Sequence, residues 1–500
     1  MAMALFVVLQ LAVSLLAAAA AFARAARAAS KAGRIAWIAL GTVPFFLSNA
    51  LVAWSGIALR FEHGLGNAPW GAGVVLFVAY VLGVVWIGAR SRAAAWSALP
   101  LLFAFVASVA VEASVLWNLQ LQGRLRASAL ALEAGRIAYR ESPGAVLAHE
   151  NAAPVYEQVS SVLEPEEGPS VSDWFGPSPS EDLVDTSDPA LLAAVASWGP
   201  ALESARAATR LPHCQFASPG AEEIVPPPRV VPILHVARGF ALEARVRASK
   251  GDVRGGLEDV RAIFAIAHQL LDAPVFLAVA MASAMRDLAV DTLARVLASE
   301  RVTAEDLAAF EFDAPPLSGG YVERGLRLEQ AFGLGMVGLF AHEGGAAPSD
   351  LGMFTEPVSV LYTALMLEDD VRGYRELMDE FEKLASLPVA ELARQLERNP
   401  QERRTAVRAR GLLATLLVPN VEDKLMTFHR ADAHVRLARI AVQAARARAT
   451  SGSWPKSAAE LGVTDGVIVV EGDGTFLLLR DTTPGFTPAP ELRVPPMGTR

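Results

Sequence analysis

Four residues near the start of the last long helical stretch have types that could do chemistry together: Asp423, His429, Asp432 and His434. Two imidazoles and two carboxylates can hold a metal ion or move a proton. His429 and Asp432 stand three apart and share a helical face. His434 follows His429 by five, about 140° around the helix, so it points elsewhere. The i, i+4 histidine spacing of a helical zinc site is missed. A capped or solvated helix start competes with a site here, and no metal or other cofactor is expected.

Other candidates are isolated. Glu112 is the only charge inside the apolar runs described below. An ionisable group in a membrane span is a functional hypothesis by default. Ser108 lies one turn before it and Ala104 two turns before, with Ser48 and Asn49 available as partners from another run. The other reading places Glu112 two turns from Leu119, reaching the interface or neutral in a packed bundle. Cys214 is the single cysteine, which excludes an intrachain disulfide and a thiolate metal cluster. His213 adjoins it, but sequence neighbours rarely supply nucleophile geometry, and a small apolar filler is the plainer role. His268 and Asp272 stand i, i+4, and His342-Glu343 ends a helical pattern, where a histidine suits the dipole. Gly333-Leu-Gly-Met-Val-Gly338 matches GxGxxG in form, but it sits inside a helical pattern rather than after a strand.

The elements that must position these residues begin with four apolar runs: 4–23, 35–59, 70–89 and 93–119. Each has roughly the 20 residues that a helix needs to cross a bilayer. Backbone groups in lipid must be satisfied within the segment, so each run is read as a helix. Six of the nine tryptophans mark the ends of runs two to four, in pairs: Trp37 and Trp54, Trp70 and Trp86, Trp96 and Trp117. The first connection carries Arg24, Arg27, Lys31 and Arg34, and the third carries Arg90 and Arg92, against Arg60 alone in the second. The positive-inside rule then places both termini, and the large remainder, on the extracytoplasmic side of a bacterial inner membrane. Arg124 and Arg126 argue the other way. The first 26 residues lack the basic segment of a signal peptide, despite Ala21-Phe22-Ala23.

Residues 1–123 hold seven Lys/Arg and two Asp/Glu, a net of +5; the whole chain is −9, so residues 124–500 carry −14. That charge argues against a nucleic-acid partner. An amphipathic helix over 124–141 carries Leu125, Leu132 and Ile137 on one stripe. Residues 143–188 are rich in Pro, Ser, Gly and acids and read as a long acidic linker, with Tyr156, Trp174 and Phe175 suited to dock it. A short helix from Asp188-Pro189 to Trp198-Gly199-Pro200 and a second to Arg210 are expected. Helices are then expected over 230–249, 253–271, 274–298, 304–310, 318–343, 357–386, 388–399 and 421–450. Two strands, 467–470 and 475–479, precede a disordered end at 481–500.

Ala241–His268, two helices joined at Gly251-Asp252, resembles a tetratricopeptide-type hairpin. That family stacks such units and uses the stack to bind partners. Helix 432–450, Ser451-Gly-Ser-Trp454-Pro455 and the strands after it resemble the tail of bacterial pseudopilin-type domains, without their Asp-Pro-aromatic-Gly segment. The chain also resembles uncharacterised multi-pass membrane proteins of GC-rich bacteria.

The expected architecture is mostly α: a four-helix transmembrane block (1–123), an amphipathic helix and Pro-rich acidic region (124–228), a helical, hairpin-like domain (229–420), a long helix plus small β tail (421–480) and a disordered end (481–500). The expected function is a non-enzymatic scaffold, its partners the lipid bilayer and another envelope protein. The alternative is a membrane enzyme or a transport or sensing component using Glu112 or the cluster of His429 and Asp432.

Overall fold

The computed structural model describes residues 24–37, 125–141, 146–175, 184–216, 231–299, 301–342, 367–397, 410, 421–463, 468–471 and 476–495, apart from 26, 127, 139, 166, 274 and 319. The described chain is mostly helical, with a small C-terminal sheet. Among the described residues no helix is long and apolar enough to cross a membrane. The four apolar runs lie outside them, except Ile35–Trp37, which are helical.

The chain divides into two compact units, residues 1–133 with 334–372, and residues 134–333 with 373–500. In the first, Arg126 pairs with Glu368 at 3.4 Å, and Leu367 and Val371 are buried. Leu125 and Leu132 are exposed.

The second unit starts with α1 (Ala153–Leu163), which buries Tyr156, Val159 and Leu163 on one stripe. It lies inside the stretch read from composition as linker. Pro154 sits in its first turn, where a missing N–H costs nothing. The aromatics dock the rest: Trp174 meets Trp198 edge-on at 5.5 Å, and Phe175 lies under Arg238. α2 (Pro189–Ala208) opens on the Asp188 cap, whose carboxylate accepts from the Ala190 amide. It is one helix rather than two, because Leu191, Val195, Trp198, Leu202 and Ala205 are buried on both sides of Pro200. Burial on that scale outweighs the roughly 3 kcal/mol cost of an interior proline.

α3 (Val231–Ser249) and α4 (Val253–Leu270) form the hairpin. Gly251 turns it with φ +88°, a value that disfavours any side chain. Asp252 then caps α4 through the Gly255 amide. α5 (Phe276–Leu297) follows. α1 packs on α2 and α3, and α3 packs on α4 and α5. α6 (Ala304–Ala308) is a single turn closed by a reciprocal Thr303–Asp306 capping box. α7 (Gly320–His342), α8 (Leu367–Ala385) and α9 (Val389–Glu397) come next.

α10 (Val421–Ser451) packs against α5. The turn after it buries Trp454 under the Arg448 guanidinium. The sheet is an antiparallel meander of β1 (Ile468–Glu471), β2 (Leu477–Asp481) and β3 (Glu491–Val494). Leu479 faces Val470 on one side and Leu492 on the other. Thus 481–495 is ordered rather than a disordered end. Leu492 and Val494 alternate inward, and Pro484, Pro488 and Pro490 fall in the connection, where they break no ladder bond. Residues 134–333 and 373–500 share one unit, so the expected divisions at 228/229 and 420/421 do not separate compact bodies.

Candidate functional site

α10 sets the geometry. His429, Asp432, Arg436 and Arg439 follow at spacings of three, four and three, which the helical repeat gathers within about 80° of one another. The helix is anchored along its length by apolar burial. Leu425, Phe428, Leu437 and Ala441 are buried, and Phe428 meets Phe276 of α5 edge-on. The four polar residues line a half-open cleft of about 490 Å³. Opposite lie Pro316 and Ser318 from the loop before α7, Val389 at the start of α9, and Thr483 and Phe486 from the β2–β3 connection.

Asp432 is fully engaged. One oxygen accepts from the Leu317 amide at 2.8 Å and from Arg286 Nη1 at 3.3 Å. The other accepts from the Ser318 amide at 2.9 Å and its hydroxyl at 2.7 Å. It therefore acts as an anchor tying α10 to the entrance of α7 and to α5. Arg286 is 1 % exposed, and burial lowers its pKa to about 10. An aspartate at this spot is what keeps that charge in the core.

His429 has no hydrogen-bond partner among the described residues. Burial lowers its pKa, Asp432 opposes that and Arg436 adds to it, so the ring is neutral at pH 7. Arg436 is held from behind by Asp481, which is buried in β2, at 2.5 Å. Asp481 also takes the Thr483 amide and hydroxyl. Arg439 donates to the Ala314 carbonyl at 3.1 Å and lies over the Phe312 ring.

The structure brings together His429 and Asp432 and separates the rest of the sequence cluster. His434 meets Asp287 of α5 at 2.8 Å. Asp423 is exposed in the first turn, its carbonyl taken by Thr427. Among the described residues no group of three or more His, Cys, Asp or Glu is placed to hold a metal ion. Glu112, Ser48, Asn49 and Glu343 lie outside the described residues. Cys214 is buried, and burial with the nearby Asp272 and Glu157 charges pushes its thiol up, against a nucleophilic thiolate. His268 and Asp272 do not pair: α4 ends at Leu270, so Asp272 leaves the helical register. His268 meets Asp313, and Asp272 meets His213.

Two features escaped a reading by spacing. Arg436, Arg439 and Arg286 belong to an Arg-rich helix and an apolar one, and nothing local distinguishes them. The other is a buried ionic cluster where α2, α3 and α4 meet. Arg206 reaches Asp259 at 2.5 Å and Glu243 at 3.0 Å, and Arg247 reaches Glu243 at 2.6 Å. Asp259 is wholly buried. Burial and the Glu243 charge push its carboxyl up to about 7, against the pull of both guanidiniums.

No protein-family model, curated protein or solved structure matches the chain.

Proposed function

We propose that this chain is a multi-pass protein of a bacterial inner membrane, and that its helical unit is a scaffold for another envelope protein. Four apolar runs, three of them with paired terminal tryptophans, support the anchor. The loop charges favour an extracytoplasmic helical unit. The order of packing carries the scaffold reading. α1 on α2 and α3, then α3 on α4 and α5, is the neighbour-on-neighbour stacking of helical hairpin arrays. Such stacks bind proteins along an extended face. The net −14 of residues 124–500 directs the choice toward protein rather than nucleic acid.

The test is to cross-link cells lightly, solubilise the full chain in mild detergent and identify what accompanies it by mass spectrometry. A stoichiometric envelope protein, retained after a salt wash, is expected. A chain that purifies alone and monodisperse in two detergents contradicts the scaffold.

A further inference from the structure

We propose that the cleft along α10 is a binding site for a carboxylate that carries an apolar flank. The carboxylate has two possible sources, the C-terminus of a polypeptide or a free small acid. The inference deepens the scaffold reading and rests on it only for the first source.

The argument runs through what each lining group has left to offer. Asp432 has both oxygens occupied, so it offers no acceptor to a ligand. Arg436 and Arg439 are each held at one end, by Asp481 and by the Ala314 carbonyl. Both guanidiniums line the cleft, and each carries N–H donors beyond the one so held. Holding a guanidinium from behind removes much of the entropy that a long side chain loses on binding, and leaves a planar fork suited to a carboxylate. The unfilled capacity of the cleft is thus donor capacity.

Charge selects the ligand further. Among the lining residues, Arg436 and Arg439 against Asp432 leave a net of +1 at the cleft. The His429 imidazole is neutral and adds no charge. A monoanion balances this set, whereas a phosphate dianion overshoots it. Pro316, Val389 and Phe486 supply an apolar wall beside the guanidiniums, so a carboxylate with an aliphatic neighbour fits better than a bare anion. The His429 ring can donate to or accept from an adjoining amide.

The experiment uses the purified full chain in detergent and calorimetric titration. The probes are N-acetyl-leucine, N-acetyl-leucinamide, inorganic phosphate and an acetylated pentapeptide ending in a free leucine. N-acetyl-leucine is expected to saturate one site. The amide and phosphate should bind at least tenfold more weakly. A pentapeptide that binds tighter than N-acetyl-leucine assigns the site to a polypeptide terminus. Equal or weaker binding assigns it to a free acid; both outcomes support the site. Arg439→Gln should cut affinity for N-acetyl-leucine at least tenfold in a chain that still unfolds cooperatively. Phe486→Ala keeps every charge and should weaken N-acetyl-leucine while leaving acetate, titrated as a fifth probe, unaffected. Absence of binding by both carboxylate probes, equal binding of the amide, or an Arg439→Gln chain with wild-type affinity overturns the proposal. The assay needs no partner protein, so failure of the scaffold reading alone would leave its result intact.

Discussion

Asp432 shows how a residue that reads as chemistry can be structure. Its type and its spacing from His429 suggested a site, and half of that was legible. What sequence could not display is that two backbone amides and a buried arginine, all distant in the chain, already occupy the carboxylate. Asp432→Ala should lower stability by about 3–5 kcal/mol, because it strands the Arg286 charge in the core. Asp423→Ala, exposed on the same helix, should change it by less than about 0.5 kcal/mol. Denaturant midpoints of the two variants make the comparison, and equal midpoints would remove the anchoring role.

Asp259 gives a pH-dependent expectation at the same scale. Unfolded, an aspartate ionises near about 3.9. Folded, this one keeps its proton to about 7. Between those values the folded chain binds more protons than the unfolded one. Its contribution is therefore greatest below about pH 4 and falls as pH rises to about 7. Asp259→Asn should flatten that slope in melting temperatures taken from pH 5 to 8. A variant whose slope matches the parent places the titration elsewhere.

At the scale of elements, apolar period and capping residues gave most helix bounds to within a few positions. α4 was legible because it combines a strong stripe with the Asp252 cap, and α5 and α10 because each is long and free of proline and glycine. Elements set by tertiary contact were not. α1 hid in a stretch rich in proline and acids, since composition averages over the Tyr156 and Leu163 stripe. α2 crossed Pro200 because burial on both sides outweighs one lost hydrogen bond. β3 lay in a tail that proline content marked as irregular.

Gly333 allows a close crossing of α7 by α8. A Cβ there would overlap the Tyr374 hydroxyl, which donates to the Glu329 carbonyl at 3.1 Å. Gly333→Ala should cost about 1–3 kcal/mol by overpacking. Tyr374→Phe removes the clashing oxygen, so the double variant should be more stable than the sum of the single losses predicts. Strict additivity in thermal melts would show that the two residues do not touch.

At the scale of the whole molecule, the helical unit and its sheet come from the structure, whereas the proposed membrane anchor rests on the sequence alone. That proposal is supported by four runs near 20 residues, one internal charge and tryptophans at the ends of three of the runs. Function was the least legible part, because the candidate cleft joins residues from 314 to 486 that lie far apart in the sequence. The measurement that tests the central claim most directly is partition of the full chain after membranes are washed with sodium carbonate at alkaline pH. An integrally anchored chain stays in the membrane pellet and is released by detergent alone. Recovery of the intact chain in the carbonate supernatant would contradict the account.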